Sequence, residues 1–185
     1  MARQNDTKTP IMTLDQERFM AFEGLVQWTA CTIEQGKKIE RATERQRKSS
    51  ASGMERRIAS AMVRCEHHYF AIAANKVCEH REWVARLGLC EGVDFTSLDE
   101  FSRSDIKDLR DMREHVIDYF EGIGRAKDRW VARGAEYSAD ASSSVGTIIG
   151  GRLDWLRFTN MAEGLLLTLL AEPIPFPPAP HVEPQ

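Results

Sequence analysis

From Thr13 onward, apolar or weakly polar side chains return every three or four residues, at Leu14, Phe19, Phe22, Leu25, Val26, Thr29 and Ile33. That is the spacing of a helix with one buried face. The helix formers of KKIERATERQRK carry it past Gly36, and SSASG, from Ser49 to Gly53, breaks it. A second helix is predicted from near Ser52 to Gly88, roughly nine turns long. Its stripe is Met54, Ile58, Met62, Cys65, Tyr69, Ile72, Ala73, Val77, Trp83, Val84 and Leu87, which makes it the spine of a bundle.

A connection follows in which Ser97 and Glu100 match a capping box. The third helix is predicted from about Ser104 to Glu121, with Ser104 as its N-cap and Gly122 and Gly124 at its end. Steps of about 100° put Ile106, Leu109, Met112, Val116, Phe120 and Ile123 on one sector, the predicted core face. The helical period is lost between Trp130 and Gly151. There WVARGAEYS and VGTII, on either side of ADASSS, predict a short β-hairpin insertion. A last helical stripe runs through Leu153, Leu156, Met161, Leu165 and Thr168 to Pro173, with Gly164 placed to admit a neighbouring helix. The expected fold is all-α, an antiparallel four-to-five-helix bundle with a short β-hairpin insertion before the last helix. It occupies residues 13–172 as one domain, between a flexible N-terminal arm (1–12) and a Pro-rich disordered tail (173–185).

Composition narrows the function classes. At 185 residues, 42% hydrophobic and 29% charged, the chain fits one globular domain, and a net charge of −3 excludes a polycationic grip on nucleic acid by the chain as a whole. The mean hides a division: residues 37–57 hold eight bases against three acids, and residues 91–121 hold ten acids against four bases. The polar start MARQNDTKTP and the short apolar run from Leu165 to Ala171 supply neither a secretory signal nor a membrane span, so a cytoplasmic protein without membrane contact is expected. Cys31, Cys65, Cys78 and Cys90 form no CxxC pair and read as reduced thiols in or near the core. Cys65 and His68 share a helix face, but Cys78 lies about 15 Å further along the axis, so no metal site and no cofactor are expected.

The candidate chemistry sits on the third helix, in Leu109-Arg110-Asp111-Met112-Arg113-Glu114-His115-Val116-Ile117-Asp118-Tyr119-Phe120. Arg110 and His115 flank a polar sector holding Asp111, Glu114 and Asp118. An Arg followed by Asp, three further residues and a His, late in a small helical protein, resembles the motif of the HEPN family (higher eukaryotes and prokaryotes nucleotide-binding domain). Arg110, Asp111 and His115 match that motif residue by residue. The resemblance implies a metal-independent endoribonuclease, a toxin or defence component acting as a homodimer, with two Arg and two His pooled around the scissile phosphate of an RNA substrate.

In that role His115 would take a proton from the ribose 2′-hydroxyl or give one to the leaving oxygen. Arg110 would fork onto phosphate oxygens, and Asp111 would orient the pair. The product would carry a 2′,3′-cyclic phosphate. Some toxin members carry a Tyr two residues after the His, the target of a modifying antitoxin; here Ile117 holds that place and Tyr119 comes two later. An antitoxin or regulatory protein remains an expected partner. Lys37, Lys38, Arg41 and Arg45, in the basic segment, are the expected RNA contacts. The alternative expectation is a non-catalytic helical dimer that binds a protein partner or a nucleotide.

Overall fold

The computed structural model describes residues 12–49, 53–125, 127–133 and 138–175. The expected arm falls outside them except for Met12, and the expected tail except for residues 173–175. The protein is mostly helical, with small antiparallel sheets ahead of the last helix. Among the described residues, no helix is long and apolar enough to cross a membrane.

Two long helices, Leu14–Lys48 (α1) and Gly53–Arg86 (α2), form an antiparallel hairpin about 50 Å long. Thr13 and Gln16 start α1 with a reciprocal capping box, each side chain bonded to the other's backbone N–H. Cross-links mark the antiparallel register along its length. Trp83 Nε1–H donates to Glu17 Oε1 (3.0 Å), Gln35 Nε2–H to the Glu66 carbonyl (3.1 Å), and Gln46 Nε2–H to Ser60 Oγ (2.8 Å).

The buried face of α1 runs from Ala21 to Ile39, so the last two turns of α1 stand beyond the core. On α2 the buried residues include Ala59, Val63, His67, Phe70, Ala71, Ala74, Val77 and Cys78. This corrects the first half of the predicted stripe, whose later members Ala73, Val77 and Val84 are buried. Met54, Ile58, Met62 and Tyr69 are exposed, as is Cys65. Their four- and three-residue spacing is real but marks the outward face; over the same stretch Ala59, Val63, His67 and Phe70 carry the inward one.

After Thr96–Asp99 (α3), the motif helix is divided into Arg103–Glu114 (α4) and Val116–Phe120 (α5). Ser97 and Glu100 make no capping box. Asp94 Oδ1 instead accepts the Thr96 N–H at 2.9 Å, and Ser102, not Ser104, caps α4 by accepting the Asp105 N–H. Ile106, Leu109 and Met112 are buried as predicted, whereas Phe120 and Ile123 are exposed. The break at His115 turns the rest of the apolar sector away from the core.

The segment before the last helix holds two small sheets rather than one hairpin. Val131–Arg133 (β1) pairs with Ser138–Asp140 (β2); Ser144–Val145 (β3), Ile148–Ile149 (β4) and Leu153–Asp154 (β5) form the second. ADASSS thus supplies most of a strand and a turn. Ala141, Ile149 and Leu153 are fully buried, so this segment belongs to the core. Arg113 ties it down: Nη1–H donates to the Ala141 carbonyl (2.8 Å) and Nη2–H to the Arg64 carbonyl of α2 (2.9 Å).

Asp154 caps the final helix, Trp155–Ala171 (α6), by accepting the Leu156 and Arg157 N–H groups. α6 packs on α1, and its Phe158 meets Phe70 of α2 and Phe101 edge-on or tilted, with ring centroids 6.0 and 4.8 Å apart. Glycines set two of the close approaches. A Cβ on Gly24 would collide with His80, and one on Gly36 with Thr159. Gly164, expected to admit a neighbour, has nothing within 4 Å of its Cβ position.

Gly36→Val is therefore expected to destabilise the fold by about 2 kcal/mol, while Gly164→Ala gains about 0.5–1 kcal/mol from helix propensity alone. Urea midpoints of the two variants, moving in opposite directions, check this.

Candidate functional site

α4 lies against α2 and buries Ile106, Leu109 and Met112, spaced so that the polar residues between them face outward. Arg110 and Asp111 are thereby held half-buried at the edge of the α2–α4 contact. Arg110 Nη1–H donates to Asp111 Oδ1 (2.7 Å), and its Nε sits 2.7 Å from Glu114 Oε2 as an ion pair without a directed hydrogen bond. The Asp111 hydrogen bond and the Glu114 charge, working against partial burial, raise the guanidinium pKa further, so this cation is permanent.

Asp111 is bridged twice, accepting from Arg110 and from Lys107 Nζ (2.7 Å). Burial alone would raise its carboxyl, but the hydrogen bonds from Lys107 and Arg110 outweigh burial and hold it below the usual carboxylate range.

On α2, Glu79 faces the same cluster. Burial opposes its charge, yet hydrogen bonds from Lys76 and Asn75, with the nearby Arg110 charge, lower its pKa. Asn75 is 1% exposed; its Nδ2–H donates to Glu79 Oε1 (2.7 Å) and its Oδ1 has no partner. Neither Asn75 nor Glu79 stands out by pattern, because an Asn and a Glu four apart on a long helix are indistinguishable from ordinary polar positions. Periodicity did not reveal the Arg113 clamp either.

His115 occupies the break. Its backbone (φ −108°, ψ 34°) leaves the α-helical region, its N–H closes the last turn of α4 on the Asp111 carbonyl (3.0 Å), and its side chain is 60% exposed with Nδ1 3.7 Å from Asp118 Oδ2. Beyond it the chain folds back. Gly122 adopts φ +76°, and the Ile123 and Gly124 N–H groups both bond the Asp118 carbonyl. Asp111, His115, Asp118, Tyr119 and Arg125 line the resulting cleft of about 440 Å³. Tyr119 stacks on Trp130, with centroids 5.4 Å apart, and forms one wall.

Arg110 is not part of that lining. Within one chain, then, Asp111 and His115 share a cleft, and Arg110 stands on the other side of Asp111, toward Glu114 and α2.

The predicted RNA contacts lie on another helix. Lys37 Nζ pairs with Glu34 at 2.7 Å, and Arg41 reaches the same carboxylate at 4.0 Å. Lys38 and Arg45 form no ion pair with a described residue. α4 packs mainly on α2 rather than on α1, so one chain does not bring the basic segment onto the motif.

The remaining histidines and cysteines are dispersed. Cys31 and Cys65 are exposed, Cys90 is half-buried and Cys78 is buried, with burial pushing the Cys78 thiol up to about 11. Cys65 is therefore not core, as the sequence reading had it. His67, two residues on, is buried. No group of three metal-binding side chains occurs among the described residues. Comparison with protein-family models, with curated proteins and with solved structures found no match to any of them.

Burial, aided by the Arg113 charge, lowers the His67 pKa from 6.5 to about 4. The folded value lies below the unfolded one, so the unfolded chain binds the proton first. This group leaves stability intact above pH 6.5 and removes about 3 kcal/mol as pH falls from 6.5 to about 4. Urea midpoints between pH 7 and pH 4.5 are expected to fall steeply in the parent and less steeply in His67→Gln.

Proposed function

We propose that the chain is a HEPN-like, metal-independent endoribonuclease, a cytoplasmic toxin or defence component. In this reading it is an antiparallel four-to-five-helix bundle that acts as a homodimer. The observation that supports it is apolar surface beside the motif: Ile117, Phe120 and Ile123 are 67%, 75% and 68% exposed on the chain that follows His115. α2 adds a second exposed seam at Met54, Ile58, Met62 and Tyr69. Apolar area of this kind suits cover by a second copy, and a two-fold contact would bring two motif segments together.

A partner chain is also what the chemistry needs, because Arg110 and His115 of one chain do not share a cleft. In the dimer, His115 serves as general base and acid at the 2′-hydroxyl and the leaving oxygen. Arg110 stabilises phosphate charge in the transition state. Asp111, bonded to Arg110 and lining the His115 cleft, orients both. The RNA strand lies along Lys37, Lys38, Arg41 and Arg45, of which Lys38 and Arg45 carry no acidic partner among the described residues.

A second reading, a non-catalytic helical dimer that binds a protein partner or nucleotide, has its own support. Arg110 is held between Asp111 and Glu114, and Lys37, Lys38, Arg41 and Arg45 sit on α1 while α4 packs on α2.

The purified chain is expected to cut total RNA in the presence of a chelator, leaving 2′,3′-cyclic phosphate ends. Arg110→Ala and His115→Ala should each slow cleavage by about a hundredfold or more, and Phe120→Asp should yield an inactive monomer by light scattering. If the parent leaves RNA intact and its expression slows growth no more than the two alanine variants, the ribonuclease reading fails and the binding reading stands.

A further inference from the structure

A second cleft, of about 500 Å³, lies between the ends of the helical hairpin and the serine turn that leads into β3. α1 contributes Thr43 and Gln46, α2 contributes Arg64 and His67, and the turn contributes Ser142 and Ser144. No carboxylate lines it. Asp140, at the start of the turn, is directed into its own loop, where Oδ1 accepts both the Ser142 N–H (2.8 Å) and the Ser142 hydroxyl (2.6 Å).

The unpaired groups at this cleft are all able to donate. The Arg64 guanidinium makes no ion pair or hydrogen bond with any described residue, and the Thr43 and Ser144 hydroxyls likewise have no partner among them. Behind the wall, Arg113 gives its Nη1–H and Nη2–H to two backbone carbonyls, keeps a buried Nε–H and forms no ion pair among the described residues, so its charge adds to the positive potential of the site.

His67 is the cleft's second nitrogen donor. It is 3% exposed, lines the cleft and forms no hydrogen bond with a described residue. Its ring nitrogens are not among the sealed side-chain polar atoms left without a partner, so the imidazole meets the cleft rather than the closed core.

We propose that this cleft binds the phosphate group of a small molecule, with Arg64, Ser144 and His67 as its ligands. The volume exceeds that of bare phosphate and falls in the range of ordinary small-ligand sites, so a phosphate monoester fits better than the ion alone. Arg64 and the hydroxyls supply charge-assisted hydrogen bonds. His67, neutral in the empty protein, donates one N–H and gains a proton more readily once a phosphate dianion lies beside it. The charged groups around it are Arg64 and Glu66 on α2, Arg113 from α4 and Asp140 from β2; the Glu66 carboxylate accepts from Gln35, and α1 lines the cleft with Thr43 and Gln46. The site is separate from Arg110 and His115 and does not depend on RNA cleavage.

The test follows the His67 ring-proton resonance of the full chain at pH 7 during titration with inorganic phosphate, adenosine monophosphate and adenosine. Both phosphates are expected to shift it saturably and adenosine to leave it in place. Arg64→Gln and Ser144→Ala alter exposed side chains that make no contact needed for folding, and each should weaken binding about tenfold. Tighter binding of the monophosphate than of inorganic phosphate identifies an ester as the ligand; equal affinity identifies the free ion. The proposal is overturned if neither phosphate shifts the resonance, if adenosine shifts it as the monophosphate does, or if both variants bind like the parent.

Discussion

The middle of α2 is the constraint on which the other elements depend. From Phe70 to Cys78 nearly every side chain is buried, and three of them are alanines, Ala71, Ala73 and Ala74. Small residues around the whole circumference let α1 close on one side and α4 on another, while Phe70 meets Phe158 of α6. Close approach leaves little room for error, because dense interiors resist added volume as well as lost volume. The same crowding accounts for Gly24 and Gly36, each seated against a side chain from another helix.

The helices were legible in the sequence because their apolar spacing is regular and their breaks carry glycine, serine or proline. Orientation was less legible. Met54, Ile58, Met62, Cys65 and Tyr69 form as regular a stripe as the true core face, and their mostly larger side chains draw the eye away from Ala59, Val63, His67 and Ala71. A periodic pattern gives a face, and only the neighbouring helices decide whether it is covered. The break at His115 was invisible for a related reason, since no Gly or Pro marks it. The motif residues were found by their chemistry, and their partners Asn75 and Glu79 were missed because pairing across helices is a property of packing.

Electrostatics divides the molecule along similar lines. Around Arg110 the carboxylates of Asp111 and Glu114 lie within ion-pair distance, with Lys107 bonded to Asp111, so charge there is largely balanced inside the chain. Around Arg64 and Arg113 there is no such ion-pair balance among the described residues. The mean charge of −3 conceals both conditions. Exposed pairs such as Lys37 with Glu34 contribute little to stability.

Arg113 joins these two districts. One guanidinium holds the Ala141 carbonyl of the serine turn and the Arg64 carbonyl of α2, and it stands two residues before His115. The last turn of α4 is therefore moored like a gangway, with one end on the helical hairpin and the other on a turn whose only anchorage to α4 through that guanidinium is a single carbonyl. Any displacement of residues 140–144 slackens the mooring and reaches the histidine at the helix end through the buried Ala141, where the core and the guanidinium meet.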